Sequence, residues 1–193
     1  MAYATVAQLK AYIGGYDSTS DDALLGELLD RASSWFDGQT HRTFAASADS
    51  TRTYDAVGPH IRGYELHFPD GAELAAITSV TNGDGVVLST SEYTTAPRNA
   101  TPYYGLRILG SAGKTWTYTT DWEDAISIVG RWAYSTTPPD DVRQAVLDIA
   151  KQMYRARADD GGDRTIIAEG MVITPSNIPS TARATVERYR RLA

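Results

Sequence analysis

The feature that most constrains this chain is a double change of hydrophobic period, about 3.6 residues towards both ends and two residues in between. Period two belongs to one face of a pleated strand, and period 3.6 to one stripe of a helix. The chain therefore reads as helices, then strands, then helices, with the strands inserted between helical segments. The expected class is α+β: a helical bundle from the N- and C-terminal segments with an inserted antiparallel β-sheet or small barrel. A single domain is expected over 1–193, with N-terminal helices in 1–45 and the inserted β region in 51–135. A long helix over 138–158 and a C-terminal arm and helix over 164–193 complete it.

Thr5 and Gln8 have the spacing of a capping box, in which each side chain satisfies a free backbone N–H at a helix start. Val6, Leu9 and Ile13 follow on one face, and Gly14-Gly15 marks the stop. Ser20 is the expected cap of a second helix, and Asp21 and Asp22 suit the positive end of its dipole. Its apolar stripe is Leu24, Leu25, Leu28, Leu29, Ala32, Trp35 and Phe36, with Gly38 at or near its end. Gly26 is either a local weakness of about 1 kcal/mol relative to alanine or a point of close helix approach. Helix returns at Pro138-Pro139-Asp140-Asp141, with Val142, Ala145, Val146, Ile149, Met153 and Tyr154 as its stripe. Ile166, Ile167, Met171, Val172 and Ile173 read as a short hairpin or an extended arm. Pro179-Ser180 opens a last helix, with Ala182, Val186 and Tyr189 on one side.

In the middle, Tyr64, Leu66 and Phe68 alternate with Glu65 and His67. Ile126, Ile128, Gly130, Trp132 and Tyr134 share a face, and Leu106 and Ile108 flank Arg107. Asn82-Gly83-Asp84-Gly85 reads as a hairpin turn between Val80 and Val86. Trp116-Thr117-Tyr118-Thr119 has a strand pattern.

With 42% hydrophobic and 22% charged residues, the composition is that of an ordinary globular protein. No apolar run approaches the roughly 18 residues of a membrane span. MAYATVAQLK lacks the basic and apolar segments of a secretory signal, so synthesis in the cytoplasm is expected. The absence of cysteine excludes disulfides, thiolate metal sites and cysteine nucleophiles. A net charge of −6 argues against a subunit that grips nucleic acid by its phosphates. That charge is uneven, +3 from Arg143 onward and −9 before it, which marks the basic end as a docking candidate.

No motif completes a catalytic or cofactor site. Gly110-Ser111-Ala112-Gly113-Lys114-Thr115 has Ile108 where a phosphate-binding loop needs its first glycine, and a strand pattern where it needs a helix. His41, His60 and His67 lack metal-ligand spacing, so no metal and no cofactor is expected. Asp159, Asp160 and Asp163 lack the alternating ligands of a calcium loop. Asp121, Glu123 and Asp124 form an acidic loop that a small hydrolase would have to use. Trp116, Tyr118, Trp122 and Trp132 are candidates for a subunit interface, because a thin insertion has few places to bury so many aromatics alone. The rival use is a carbohydrate platform in a sugar-binding β module with helical flanks. In the last helix Arg183, Arg188, Tyr189, Arg190, Arg191 and Leu192 combine guanidinium forks with apolar anchors, as docking segments do.

Three stretches, in order, carry a resemblance. The first is Thr5 to Ile13 with Ser20 to Phe36, continuing through Asp37-Gly38-Gln39-Thr40-His41-Arg42-Thr43-Phe44. The second is Ile128-Val129-Gly130-Arg131-Trp132-Ala133-Tyr134 running into Pro138-Pro139-Asp140-Asp141-Val142-Arg143-Gln144-Ala145. The third is the closing Tyr189-Arg190-Arg191-Leu192. Together, over about half the chain, they resemble the head-tail connector, or adaptor, family of tailed bacteriophages, with Ala133 where that family's pattern has glycine. The resemblance implies a structural virion protein of the neck, not an enzyme. It implies a homo-oligomeric, twelve-fold ring under the portal protein, with a head-closure or tail-terminator protein below. DNA would pass through the channel, during genome ejection, without specific binding, and no membrane would be involved. In this family the C-terminal part engages the portal, which would assign portal docking to the last helix and, with the loop at 159–163, a mobile arm that orders on binding.

Overall fold

The computed structural model describes the chain apart from Tyr16 and residues 159–165, 169–170, 174–177 and 192–193. In chain order its elements are α1 (Val6–Ile13), α2 (Asp22–Thr40), β1 (Ser50–Tyr54), β2 (Ile61–Arg62), β3 (Glu65–His67), β4 (Ala76–Thr81) and β5 (Tyr93–Ala96). There follow β6 (Gly105–Ile108), β7 (Ile126–Arg131), α3 (Asp140–Ala158), β8 (Ile166–Ala168), β9 (Met171–Ile173) and α4 (Ser180–Tyr189). The class is α+β, as the two periods require, and the elements fall into two compact units. A helical unit comprises Met1–Arg42 with Pro138–Ala193, and a β unit comprises Thr43–Thr137. No helix among the described residues is long and apolar enough to cross a membrane.

In the helical unit α1 starts with the expected capping box: Thr5 Oγ1 accepts from the Gln8 amide at 3.2 Å, and Gln8 Oε1 from the Thr5 amide at 2.9 Å. It ends at Gly14, whose φ of 140° excludes a side chain at little strain. The second helix starts one residue later than expected and ends, as expected, close to Gly38. Its N-cap is Asp21, without a side-chain cap, while the Ser20 amide donates to the Ser18 hydroxyl. A Lys10–Asp22 ion pair ties its first turn to α1. At the other end it runs through Gly38 to Thr40 and closes on His41 in the left-handed conformation. Phe36 and Thr40 are fully buried, and that burial outweighs the roughly 1 kcal/mol a mid-helix glycine costs. Leu25, Leu28, Leu29, Ala32 and Phe36 of α2 face a core shared with Val142, Ala145, Val146, Ile149 and Ala150 of α3. Ala182 and Val186 of α4 close it.

In the β unit all strand pairs within the two sheets are antiparallel. One sheet has the order β1-β7-β4 and the other β2-β3-β6-β5, with no closed barrel. β7 alternates as its sequence predicts, with Ile126, Ile128 and Gly130 inward. Gly130 is required there, because a Cβ would lie 2.2 Å from the Ala76 carbonyl oxygen and 2.9 Å from Leu74 Cδ1. Leu66, Leu106, Ile108, Val80 and Leu74 fill the core from the other strands. The turn at Asn82–Gly85 forms, with the Asn82 amide donating to the Val86 carbonyl at 2.9 Å; the returning segment makes a single bridge, Thr81 with Val87, and the Leu88 amide donates to the Val80 carbonyl at 2.8 Å. Residues 116–119, a strand by pattern, are irregular apart from one bridge between Gly83 and Tyr118.

Candidate functional site

The four aromatic interface candidates divide into two buried and two exposed. Trp132 lies in a ring cluster inside the β unit, 5.0 Å from Phe68 edge to face and 6.0 Å from Tyr54. Arg52 sits over its ring at 4.5 Å, and its indole N–H donates to the Ser50 carbonyl at 3.0 Å. Trp116 is buried as well, its N–H donating to the Tyr64 carbonyl at 2.8 Å. Both indoles are thus satisfied within the chain, in one core to which strands of both sheets contribute. Burial also pushes the Tyr54 phenol up to about 12, against the pull of Arg52. A sugar platform built on Trp116 is closed off by the same burial.

Tyr118 at 43% and Trp122 at 40% remain exposed, and Val57, Val86 and Val87 are exposed too. These five sit on three loops that hydrogen bonds tie together. Asn82, only 2% exposed, donates to the Thr115 carbonyl at 2.9 Å and accepts from the amides of Gly83 at 3.0 Å and Thr117 at 3.2 Å. Gly83 lies so close to the 115–118 loop that a Cβ would meet the Thr117 oxygen at 2.1 Å. The Trp122 carbonyl accepts from the Ala56 amide at 2.8 Å. The result is a set of apolar side chains on a braced loop cluster, which is how a contact surface keeps its shape without a partner. The sequence marks Asn82 as a turn residue, and its role as the brace depends on loops 33 residues apart.

The polar motifs have local uses. Asp124, at φ 51°, accepts from the Thr53 hydroxyl at 2.6 Å and donates its amide to Asp55 at 3.0 Å, so the acidic loop is held as a turn. Gly110–Ala112 is a 3₁₀ turn and Gly113 is left-handed, with no helix following. Lys114 pairs with Glu92 at 2.6 Å and holds that carboxyl below its ordinary range. His67 faces Glu65 at 3.2 Å on the exposed face of β3. Among the described residues no cluster of three or more His, Cys, Asp or Glu could hold a metal ion. Asp159, Asp160 and Asp163 lie outside the described residues.

The arginine-rich end is built into the helical unit. Tyr189 donates to both carboxylate oxygens of Asp141 at 3.0 Å, and Arg188 Nη1 reaches the same carboxylate at 3.0 Å. Arg42 Nε donates to the Tyr189 carbonyl at 2.7 Å, and the Arg191 amide to the Thr40 carbonyl at 3.0 Å. Thr181 donates to Asp148, which also accepts from Tyr12. The helix is therefore docked on its own chain by Ala182, Val186 and these bonds. Arg183 stands exposed, Arg190 is within 3.6 Å of Glu187, and Leu192 lies outside the described residues. Asp141 is the anchor that sequence reading missed, since its place at the helix start already accounted for its charge.

No protein-family model matches the chain, and no curated protein matches it in sequence. Among solved structures it is similar to a chain in one described as the neck of an empty GTA particle computed with C6 symmetry. The TM-score is 0.56 and the identity 18%, over 99% of this chain and 91% of that one, so the likeness is one of fold.

Proposed function

We propose that this chain is a structural subunit of the neck of a tailed phage or phage-like particle, an adaptor that forms a ring under the portal and has no catalytic role. The observation that carries the proposal is the end-to-end likeness to a neck chain, 99% of one against 91% of the other. A match of whole chain to whole chain favours a shared role more than a match of one common module would. The ordered resemblance of three sequence stretches to connector adaptors supports the same reading. A twelve-fold ring is compatible with six-fold averaging of the neighbour, since six divides twelve.

In this reading Tyr118 and Trp122, with the valines beside them, supply contacts between subunits, and Trp116 and Trp132 serve the core beneath. Portal docking falls to the outer face of α4, through Arg183 and Arg190, while Arg188 and Tyr189 hold the helix in place. A head-closure or tail-terminator protein meets the opposite side. The acidic balance of −6 per copy, multiplied round a ring, repels phosphates and lets DNA pass without being held. The protein would act in the virion. Native mass spectrometry and electron microscopy of the chain with its portal test the proposal: a closed ring is expected, and a chain that stays monomeric beside its portal refutes it.

A further inference from the structure

The β unit leaves arginines in excess on one surface and carboxylates in excess on another. Of its six basic residues, Lys114 pairs with Glu92 at 2.6 Å, Arg131 with Asp49 at 2.6 Å, and Arg52 lies over Trp132. The other three are Arg62, Arg98 and Arg107, and all three are exposed. The register sets Arg62 opposite Glu65 and Glu65 opposite Arg107, so two arginines flank one carboxylate on the outer face of the β2-β3-β6-β5 sheet. Leu66, Leu106 and Ile108 take the inner face. Glu65 lies 3.7 Å from Arg107 and 3.2 Å from His67, while Arg62 and Arg98 have no ion pair among the described residues. Tyr64, in the turn between β2 and β3, is 43% exposed.

The excess of acid lies on the loop that carries Trp122. Asp121, Glu123 and Asp124 surround that exposed indole in sequence and are exposed themselves. Asp121 and Glu123 have no ion pair among the described residues. The loop is held from its own chain, through the Trp122 carbonyl on the Ala56 amide and through Asp124 on Thr53 and Asp55. Those contacts tie it to β1 and the residues just after it, and β1 belongs to the other sheet.

We propose that the acidic Trp122 loop of one copy docks on the arginine-bearing outer face of the β2-β3-β6-β5 sheet of the next copy. The inference rests on the ring proposed above and names the surface that receives Trp122. Loop and face are different surfaces of one chain, so every copy offers one and receives the other, the head-to-tail geometry that generates rings. Asp121 and Glu123 supply the charge that Glu65 alone cannot bring to Arg62 and Arg107, and Trp122 meets guanidinium and the Tyr64 ring. Because the loop is already braced, docking costs little ordering.

Charge reversal tests the contact. One full-length variant carries Arg62→Glu with Arg107→Glu, and a second carries Asp121→Lys with Glu123→Lys. All four positions are exposed, so both variants should keep the wild-type Tm. With the portal, each alone is expected to form rings at least about ten-fold less readily than wild type, because like charges meet at every contact. An equimolar mixture should recover rings of alternating copies, and the quadruple variant should recover them by itself. A mixture that stays unassembled overturns the proposal, and a quadruple variant that assembles nonetheless shows that loop and face pair within one chain. Either double variant forming rings as readily as wild type overturns it too and leaves the neck reading intact. If the wild-type chain forms no ring with its portal, the neck reading falls and this contact with it.

Discussion

Replacing Asp141 by alanine should release the C-terminal helix from the helical unit. The carboxylate accepts two contacts from the Tyr189 hydroxyl at 3.0 Å, one from Arg188 at 3.0 Å and one from the Val142 amide at 2.9 Å. A hydrogen bond to a charged group contributes about 1.5–3 kcal/mol, and the low end applies because Tyr189 is only partly buried. Arg188 is 72% exposed, so its ion pair adds about 0.5 kcal/mol. Losing an acid from the first turn of α3 removes about 0.5 kcal/mol more. The total is about 2–3 kcal/mol, of which Tyr189→Phe alone should remove about 1.5 kcal/mol and Arg188→Ala about 0.5 kcal/mol. Hydrogen exchange of the α4 amides reads the opening free energy directly. A double-mutant cycle between Asp141→Ala and Tyr189→Phe should show a coupling of about 1 kcal/mol. Unchanged α4 protection in Asp141→Ala, or a coupling near zero, would show that Ala182 and Val186 hold the helix unaided.

Asp37 is held at about 6 by burial, with the Tyr3 hydroxyl, 2.6 Å away, pulling it down. Its folded value lies above the ordinary 3.8, so its ionisation destabilises the fold as pH rises from about 4 through 6, and fully above that. Asp37→Asn should therefore gain on wild type across that window, by about 1 kcal/mol at pH 7 after allowing for partial exposure; a pH-independent difference in Tm would contradict it. At Gly26 a Cβ would meet Val6 Cγ2 at an ordinary 3.9 Å, so Gly26→Ala should stabilise by about 0.5–1 kcal/mol in urea titrations. Gly130→Ala should destabilise by about 3 kcal/mol or more, because the obstructing atom is backbone, and a soluble variant of wild-type Tm would refute the close approach of β4 and β7. Asn82→Ala leaves the Thr115 carbonyl and Thr117 amide without their partner, and should lower stability by about 2 kcal/mol and loosen the loops bearing Tyr118, seen as faster hydrogen exchange over 115–118.

The elements whose signals are local were legible. The capping box at Thr5, the stop at Gly14, the alternation from Ile126 as far as Arg131 and the opening of α3 depend on neighbours within a few residues and formed where expected. Past Arg131 the strand stops, and Trp132 and Ala133 are both buried. Gly38 stands near the end of α2 as expected, and the helix runs two residues past it because Phe36 and Thr40 are buried on either side. The strand expected at 116–119 is a miss with a distant cause. Residues 116–119 have the alternation of a strand, but Trp116 turns inward to Tyr64 and the brace at Asn82 takes the amide of Thr117.

The same division runs through the candidate surfaces. Residue types alone determined an α+β chain with a strand region between helices, an acidic body with a basic end, and aromatics in numbers that ask for burial. Which aromatics are buried was decided by tertiary structure: the core shared by the two sheets takes in Trp116 and Trp132 and leaves Tyr118 and Trp122 outside. What the basic end rests on was decided there too, because Asp141, 48 residues before Tyr189, meets it only once α3 and α4 have packed. Periodicity records which face of an element avoids water, and it holds no information about which distant residue will meet that face.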